Sequence, residues 1–552
     1  MSVLEKIITD NLPLWSSSVQ LKSTRGRGSS SKRNLYGIKK LRELILDLAV
    51  RGLLVPQDPN DEPASALLEK IEVEKNKLIT DGKISKPRKA NSSGELTLPF
   101  KLPNGWAFSK LADIGHDWGQ KKPDQQFTYI DVGAINKELG IVEKQSILDN
   151  SEAPSRARKI VRQGTVIFST VRPYLLNIAV INKDFTPEPI ASTAFAIIHP
   201  FNGISSSYIY RYLRSPVFAS YVEDCQTGIA YPAINDKQFF SGLIALPPSA
   251  EQHRIVAKVD ELMALCDTLE QQQENSIEAH ETLVETLFSA LTNAPDAEAF
   301  QSAWERVSKH FDTLLTTEHS VNKLKETILQ LAVMGKLVPQ DPNDEPASVL
   351  LEKIIMDKER LIENGQISKP KNISDFGKYK AIGNWVGCKF GDIYHLEYGN
   401  GLKKSERSNT GEFPVFGSNG IVGTHNKSRV KSPCIIIGRK GSAGALNLSD
   451  TKECWVTDVA YSLAPSSSMS LKFVFYQLHT LRLDNLSKGI KPGLNRNEAY
   501  ALSIQIPPLA EQHRIVAKVD ELMALCDDLK QSLNEAQTTQ MQLTDAVLEN
   551  AF

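Results

Sequence analysis

The chain has 552 residues, of which 41% are hydrophobic and 23% charged, and its formal net charge is −1. This length exceeds what one hydrophobic core usually supports and predicts two to four domains of ordinary globular composition. No run of eighteen apolar residues occurs, so no membrane span is predicted. Six scattered cysteines indicate reduced thiols, a cytoplasmic location and no metal site. The neutral charge balance does not by itself indicate a nucleic-acid partner.

The N-terminal region, residues 1–102, is predicted to be a helical segment followed by a linker. Its first residues include acidic side chains and lack the apolar core of a signal peptide, so none is expected. The stretch Gln20–Asn34 contains five positive and no acidic residues. Its Ser and Gly content indicates a flexible linker, and a phosphate-binding arm is the alternative.

Two blocks of the sequence occur twice. Leu41–Ile71 recurs with few changes as Leu324–Ile354, and the seventeen residues Glu251–Asp267 recur letter for letter as Glu511–Asp527. Similar flanks therefore enclose two dissimilar interiors. This pattern predicts flanks that bind one type of partner and interiors that each recognise something different.

The first interior, residues 103–246 (head 1), is predicted to be mixed α/β, with short β-rich runs, turns and one helix over Ser205–Val222. Its fourteen Lys and Arg residues and thirteen Asp and Glu residues nearly balance. A single lysine is most often a solvated surface residue, but basic groups beside turns suit contacts to phosphates and base edges. The candidate DNA-binding residues of head 1 are Lys121, Lys122, Lys159, Arg162, Arg172 and Tyr174.

Residues 247–292 and 507–552 are predicted to be long spacer helices, because their apolar residues repeat every 3.5 positions. The predicted seam of the first helix is Ile255, Val259, Leu262, Cys266, Leu269, Leu283 and Leu287, and that of the second runs from Ile515 through Leu543 to Val547. The polar residues Gln273, Ser276 and His280 interrupt the first seam. The simplest arrangement packs the two helices antiparallel about a pseudo-twofold axis; the alternative is two independent helices, each lying on its own domain.

Residues 293–382 are predicted to form a central helical region with a linker, followed by the second interior, residues 383–506 (head 2). Head 2 is also predicted to be mixed α/β, with a helix over Met469–Leu486. Between Trp385 and Ile506 it carries fifteen Lys and Arg residues against nine Asp and Glu residues, a balance of +6. Its candidate DNA-binding residues are Lys403, Lys404, Arg407, Arg439, Lys440, Lys488, Lys491, Asn495 and Arg496.

No catalytic constellation is evident. The stretch "GRKGSAG" lacks the spacing of a phosphate-binding loop, and the Asn-Pro-Pro-Tyr motif of adenine methyltransferases is absent. His253 and His513 have no nucleophile or metal partner at motif spacing and are predicted to lie on a helix surface.

The paired blocks "LAVxGxLVPQDPNDEPAS" and "PPxAEQHRIVAKVDEL" resemble those of the specificity subunits of type I restriction–modification enzymes, and the resemblance covers essentially the whole chain. It implies an α+β fold in which two target recognition domains are separated by antiparallel coiled-coil helices. It also implies that the duplicated helices dock partner subunits. The candidate partner-interface residues are Glu251, Gln252, Ile255, Val259, Leu262, Glu511, Gln512, Ile515, Val519 and Leu522.

The resemblance further implies a role in phage defence. Each head reads one half of a split, asymmetric double-stranded DNA target, and the chain itself has no catalytic centre and binds no cofactor. Two modification subunits bring S-adenosylmethionine to methylate adenine, and restriction subunits bring ATP and Mg²⁺. The alternative is a tandem coiled-coil scaffold that binds only proteins; an orphan methyltransferase or nuclease is a weaker third hypothesis.

Overall fold

The computed structural model describes residues 3–21, 33–84, 98–228, 231–367, 383–430, 433–488 and 493–550. The chain forms two compact units, of which unit 1 comprises Met1–Asn275 and Gln537–Phe552, and unit 2 comprises Ser276–Ala536. Among the described residues, no helix is long and apolar enough to cross a bilayer. Lys491 and most of the basic stretch Gln20–Asn34 lie outside the described ranges.

Unit 1 contains head 1 and the helices packed on it. Its helices are α1 Val3–Asp10, α2 Leu12–Ser17, α3 Tyr36–Val50, α4 Ala64–Thr80, α5 Ser206–Leu213, α6 Pro216–Cys225, α7 Asp236–Ser241 and the first part of α8 Ser249–Thr292. Its strands are β1 Gln20–Leu21, β2 Arg33–Asn34, β3 Ala107–Lys110, β4 Gly115–His116, β5 Phe127–Ile130, β6 Ile135–Asn136, β7 Ile141–Val142, β8 Ser146–Leu148, β9 Ala157–Ile160, β10 Val166–Ser169, β11 Ile178–Val180, β12 Pro189–Ser192, β13 Phe195–Pro200 and β14 Leu243–Leu246.

Unit 2 contains head 2 and a corresponding set of helices. The helices that follow α8 are α9 Ala297–Lys309, α10 Phe311–Leu314, α11 Glu318–Val333, α12 Ala347–Glu363, α13 Phe390–Ile393, α14 Leu471–Thr480, α15 Arg496–Tyr500 and α16 Leu509–Glu549, whose end belongs to unit 1. The strands are β15 Val386–Lys389, β16 Glu397–Tyr398, β17 Phe413–Gly417, β18 Gly420–His425, β19 Cys434–Gly438, β20 Leu446–Ser449, β21 Trp455–Val456, β22 Ala460–Leu463, β23 Ser487–Lys488, β24 Gly493–Leu494 and β25 Ser503–Ile506.

The main sheet has the same strand order in both heads although their sequences differ. An antiparallel sheet has the order β11-β10-β13-β4 in head 1 and β20-β19-β22-β16 in head 2. A second sheet, β8-β5-β12-β9 or β18-β17-β21, contains one parallel pair in each head, β5 with β12 or β17 with β21. The predicted mixed α/β character of both heads is therefore confirmed.

Each head begins and ends at one place, because its first and last strands pair antiparallel. Ala107 lies opposite Leu246 in head 1, and Val386 lies opposite Ile506 in head 2. In both heads the last strand is followed within three residues by a long helix. A head of this construction is an insert whose two ends meet beside the helix that carries it.

The central strand of each main sheet is buried along its whole length. All four residues of β10 and all five residues of β19 are buried. A strand covered on both faces requires a continuous apolar run rather than an alternating one, and "VIF" and "CIII" are such runs. Head 1 also has an aromatic cluster in its interior, where Phe168 lies 4.8 Å from Phe239 between ring centroids.

The single helices predicted in both heads were wrong in detail. Ser205–Val222 forms two helices, because Pro216 lacks the backbone N–H needed to continue α5 and instead begins α6. Ser215 caps this new helix by accepting a hydrogen bond from the backbone N–H of Phe218 at 3.4 Å. In head 2, α14 ends at Thr480, and Arg482 has a left-handed φ of 47°.

The long helices occupy the two units in opposite order. Helix α8 begins in unit 1 and ends in unit 2, whereas α16 begins in unit 2 and ends in unit 1. Within unit 2, Leu529 of α16 packs against the cluster formed by Val284, Phe288 and Leu291 of α8. This opposite order is the one that an antiparallel helix pair requires.

The predicted seam is confirmed in the first half of each helix and is wrong by one residue in the second half. Cys266 and Cys526 are buried as predicted, but Leu283 and Leu543 are 50% and 53% exposed. The neighbouring Val284 and Thr544 are fully buried instead. A straight α-helix has about 3.6 residues per turn, so its buried stripe drifts away from a 3.5-residue repeat over about five turns.

Candidate nucleic-acid interface

Each head is fastened to its long helix by the same hydrogen bond. The indole N–H of Trp106 donates to Oε2 of Glu251 at 3.0 Å, and that of Trp385 donates to Oε1 of Glu511 at 2.9 Å. Burial raises the pKa of both glutamates, while the indole bond and a nearby arginine oppose this shift. The tryptophan that opens each head is thereby tied to the first turn of the helix that follows the head.

The glutamine beside each glutamate holds a second segment of the head. Oε1 of Gln252 accepts from the backbone N–H of Ser205 at 2.8 Å, and Oε1 of Gln512 accepts from that of Ser470 at 3.0 Å. The Nε2 group of each glutamine donates at 3.1 Å to the first proline carbonyl of the Pro-Pro pair. The glutamine of each repeated "PPxxEQ" sequence therefore links the start of α5 or α14 to the start of the long helix that follows the head.

The two repeated blocks also contact each other within each unit. Arg254 makes a two-pronged ion pair with Asp61, and Arg514 makes the same pair with Asp344, with shortest distances of 2.5 and 2.6 Å. The bidentate geometry matches the planar guanidinium fork to a carboxylate. Each "PQDPNDEPAS" block is thus a docking segment for the start of a long helix.

These contacts correct the predicted partner-interface residues. Glu251, Gln252, Glu511 and Gln512 are at most 1% exposed, and the apolar members are buried or half-buried against their own unit: Ile255, Val259, Leu262, Ile515, Val519 and Leu522. Side chains packed in this way stabilise the chain itself and present no surface to another subunit. The repeated motif holds each head against its long helix.

The outer faces of the long helices carry exposed leucines at repeated positions. Leu265 and Leu525 are 42% and 58% exposed, and Leu283 and Leu543 are 50% and 53% exposed. Leu265 and Leu283 are five helical turns apart on one side of α8, because eighteen residues make five turns of 3.6 residues. The same spacing relates Leu525 to Leu543 on α16.

The predicted DNA-binding residues of head 1 are not equally available. Lys122 and Tyr174 are exposed, whereas the ammonium group of Lys121 pairs with Glu188 at 2.5 Å. Lys159 is only 5% exposed, and its Nζ donates to the carbonyl of Phe195 at 2.6 Å and to Asp236 at 3.0 Å. This lysine ties β9 to β13 and α7, so we remove it from the candidate interface.

Two arginines of head 1 lie on aromatic rings. The guanidinium of Arg162 lies 4.0 Å from a ring centroid of Trp118, and that of Arg172 lies 4.8 Å from Tyr231, which is 71% exposed. Arg172 adopts a left-handed φ of 49°. A guanidinium stacked on a ring keeps its N–H edge free for another acceptor.

His199 lies beside the Arg162–Trp118 pair. Its ring centroid is 5.0 Å from that of Trp118, and its Nδ1 lies 3.0 Å from the hydroxyl of Thr165. Burial, with His116 and Arg162 nearby, lowers the pKa of His199 to about 4. The imidazole is therefore neutral near pH 7, and Arg162 supplies the positive charge of this cluster.

In head 2, several predicted residues lie on exposed loops and two serve the fold. Lys403, Lys404 and Lys440 are exposed. Arg407 donates to the carbonyl of Leu402 at 2.9 Å, and the Asn495 side chain caps α15 by accepting from the backbone N–H of Asn497 at 2.9 Å. The backbone of Lys488 pairs with Gly493 in β23–β24, and Lys491 lies outside the described residues.

The structure brings Arg439 and Arg496 together on one ring. Each guanidinium carbon lies 4.9 Å from the ring centroid of Tyr398. Tyr398 is 47% exposed and stands on β16, opposite the buried Tyr461 of β22. Arg439 comes from the turn after β19 and Arg496 from the start of α15, so three separate elements meet at this point.

Sequence reasoning missed the aromatic residues on which these arginines stack. Trp118 and Tyr398 each precede a glycine and follow a histidine of the repeated "DIxH" sequence by two or three residues. This position after a repeated segment was a usable signal. Tyr231 carried no comparable signal, because nothing in the sequence places it beside Arg172.

A buried lysine of α12 and a histidine of head 2 line a cavity in unit 2. The cavity has a volume of about 370 Å³, and its lining includes Lys358, His395, Glu397 and Ser462. Burial lowers the pKa of Lys358 to about 8, and its ammonium group donates to the carbonyls of Gly391, Asp392 and Tyr394 at 2.5, 3.2 and 3.4 Å. Lys358 thereby satisfies carbonyl groups at the C-terminal end of α13. Within the described ranges, no group of three or more His, Cys, Asp or Glu residues is arranged to hold a metal ion.

Comparisons with known proteins match this duplicated arrangement. A family model described as the type I restriction modification DNA specificity domain matches residues 103–279 and again residues 382–537. The EcoAI and EcoEI type I restriction enzyme specificity subunits of Escherichia coli are 36% and 35% identical to this chain, and each alignment covers 100% of both proteins. The crystal structure of the HsdS subunit from Thermoanaerobacter tengcongensis is 23% identical, covers 82% of this chain and 98% of its own, and has a TM-score of 0.42.

The chain belongs to the family of type I restriction–modification specificity subunits. Membership confirms the resemblance inferred from the duplicated motifs and favours DNA recognition over a scaffold that binds only proteins. The chain is a recognition component and not an enzyme.

Proposed function

We propose that this chain is the DNA-recognition subunit of a type I restriction–modification complex, and that each head reads one half of a bipartite, asymmetric DNA target. The observation that carries the proposal is the pair of heads with one strand order and different surface loops. A common scaffold positions the loops in the same way, while different loop residues select different bases. The two half-targets therefore differ in sequence.

The distribution of charge supports binding to DNA. Head 2 has a balance of +6 over Trp385–Ile506, and Lys403, Lys404 and Lys440 are exposed. Head 1 is nearly neutral overall, so its contacts depend on a few placed cations, of which Arg162 and Arg172 are the best positioned. Lysines supply sequence-independent phosphate contacts, and stacked arginines add geometric precision.

We further propose that two modification subunits dock on the outer faces of α8 and α16. The exposed leucines supply the same apolar residues at corresponding points of both helices, as two copies of one subunit require. In the assembled complex, S-adenosylmethionine binds to the modification subunits, and ATP and Mg²⁺ bind to the restriction subunits. The complex acts in the cytoplasm against phage DNA.

Selection from a randomised duplex library tests the DNA-recognition proposal. The chain assembled with its modification subunits should enrich two defined blocks separated by an unspecified gap, whereas modification subunits alone should enrich nothing. Enrichment of a single uninterrupted block, or no enrichment at moderate salt, would contradict the proposal.

A further inference from the structure

We propose that Arg439 and Arg496, stacked together on Tyr398, form a binding site for one backbone phosphate of the DNA held by head 2. The inference rests on the proposed DNA recognition and specifies the chemical group that this part of head 2 binds. An arginine on a turn can contact either a guanine edge or a phosphate. The proposal assigns Arg439 to the phosphate.

Two cations lie at the Tyr398 ring without an ion-pair partner among the described residues. Two guanidinium groups lie 4.9 Å from the centroid of one ring, and among the described residues neither forms a salt bridge with a carboxylate. Arginine remains protonated at any ordinary pH, so the surroundings of this ring carry two positive charges. A bound anion offsets this charge.

Both arginine side chains are held in place before any ligand binds. Nη1 of Arg439 donates to the carbonyl of Asp458 at 3.0 Å, and Nη1 of Arg496 donates to the carbonyl of Leu396 at 3.3 Å. Each guanidinium has five N–H donors, so most remain available. Groups that are already ordered lose little conformational entropy when a ligand binds.

The backbone beneath Arg439 is equally well fixed. Its N–H donates to the carbonyl of Val459 and its carbonyl accepts from Leu494, both at 2.9 Å. The preceding Gly438 permits this close approach, because a Cβ at that position would lie 2.0 Å from the carbonyl oxygen of Ser442. The turn therefore holds Arg439 at a defined position above the ring of Tyr398.

A phosphate suits this arrangement better than a base edge. One guanine offers two acceptors in line and is satisfied by a single guanidinium fork. A phosphate offers oxygens in several directions and accepts from two guanidinium groups at once. Base stacking is disfavoured, because both arginines already lie against the Tyr398 ring that a base would need. Duplex DNA is the expected source, since Tyr398 is 47% exposed and Lys440 extends the positive surface.

The experiment measures binding of the assembled methyltransferase complex to its selected duplex at several salt concentrations. The variant Arg439→Gln/Arg496→Gln keeps polar side chains of similar shape, and Arg429→Gln is the matched control, because Arg429 also stacks on a ring of head 2, Trp455 at 5.4 Å. We expect the double variant to bind about tenfold or more weakly, with a salt slope reduced by about one to two. Base preference should not change.

Substitution of single phosphates by uncharged methylphosphonates locates the contact. In the wild-type complex, one position in the head 2 half-site should weaken binding, and this penalty should disappear in the double variant but persist in Arg429→Gln. Unchanged affinity and slope in the double variant, with wild-type recognition of both half-sites, would overturn the phosphate site and leave the proposed function standing. A changed base preference at an unchanged salt slope would overturn it in favour of base reading.

The variant Tyr398→Leu tests whether the Tyr398 ring supports the two arginines or stacks on a DNA base. As a support, its loss should weaken binding less than the loss of both arginines and should leave the salt slope near the wild-type value. Loss of binding in Tyr398→Leu together with normal binding in the double variant would overturn the proposal. Circular dichroism and retained recognition by head 1 show that each variant is folded. A wild-type complex without sequence preference would instead refute the proposed function itself.

Discussion

At the scale of single residues, the repeated Trp–Glu contact is the best-defined attachment between head and helix. Both indole N–H groups donate to a buried carboxylate, and a buried acceptor that loses its donor carries the full cost of desolvation. The contact explains why an identical glutamate opens both long helices although the heads differ.

Removal of one indole N–H should therefore destabilise the corresponding unit. We predict that Trp106→Phe, and equally Trp385→Phe, lowers the free energy of unfolding by about 1–3 kcal/mol, measured by urea denaturation followed by circular dichroism. Trp304→Phe is the control, because Trp304 is 43% exposed on α9 and should change stability by less than about 0.5 kcal/mol. Equal effects of the buried and exposed substitutions would show that the indole–carboxylate bond contributes nothing.

Two half-buried histidines make the heads sensitive to acid. Burial is the main cause that lowers the pKa of His199 and of His395 to about 4, and Arg162 or Arg496 adds to the shift. The unfolded value is about 6.5, so the unfolded chain binds more protons between the two values. The stability that depends on these neutral rings is complete above about pH 6.5 and is lost as the pH falls toward 4.

The double variant His199→Gln/His395→Gln should consequently show a flatter decline of thermal stability between pH 6.5 and 4 than the wild type. His253→Gln, a substitution at an exposed position of α8, should leave the decline unchanged. A decline in the double variant as steep as in the wild type would assign the acid sensitivity to other groups.

Individual contacts were predictable from the sequence only in part. The stacked pair Arg439 and Arg496 was among the candidate residues, because cations beside glycine turns are typical of phosphate and base contacts. Lys159 satisfied the same criterion but is buried, since its hydrogen bonds to Phe195 and Asp236 form only when distant strands and helices come together. Sequence patterns cannot distinguish a cation that faces solvent from one that satisfies a carbonyl in the interior.

At the scale of elements, each long helix has a buried face and another face that carries exposed leucines. The buried face was predictable as far as Cys266 and Cys526, where the 3.5-residue and 3.6-residue periods still coincide. Beyond that point the buried residues are Val284 and Thr544 rather than the predicted Leu283 and Leu543. The sequence pattern missed Thr544, because hydrophobicity alone favours leucine over threonine at a buried position. The exposed leucines that result are the clearest apolar surface on the helices.

Charge placed on the face that carries these leucines should disrupt assembly without unfolding the chain. We predict that Leu265→Glu/Leu525→Glu weakens binding of the modification subunits by about tenfold or more, measured by calorimetry or sedimentation. Urea stability of the isolated variant should remain within about 0.5 kcal/mol of the wild type. Gln272→Glu, which adds charge at another exposed position of α8, is the control, and unchanged assembly of the leucine variant would move the docking site elsewhere.

At the scale of the whole molecule, the duplication provides two heads with one main-sheet order, each followed by a long helix. The repeated flanks were evident in the sequence, whereas the common order of the main sheets was not. Their strand order is set by which apolar runs pair, and "VIFS" and "CIIIG" serve the same central position without sharing residues. Different side chains can fill one core if volume and patterning are kept, so head sequences diverge while the strand order persists.

If the helices set the gap between the two half-targets, their length should change it. Seven residues inserted after Asn275 and after Ala536 add about 10 Å to each helix and rotate the buried stripe by only about 20°. We predict a gap longer by about three base pairs of roughly 3.4 Å each, measured by mapping methylated bases. Insertion of two residues rotates the stripe by about 200° and should destabilise the chain. A folded heptad variant that methylates at the original gap would show that the helices do not set it.

The most direct test of the two-head account is an exchange of one head followed by sequencing of the methylated bases. Residues 103–246 are replaced by the corresponding head of a family member with a different target, and the chimera is assembled with the same modification subunits. The account predicts that one half of the methylated sequence changes to that of the donor, while the other half and the gap stay as they were. A change in both halves, or in neither, would contradict it.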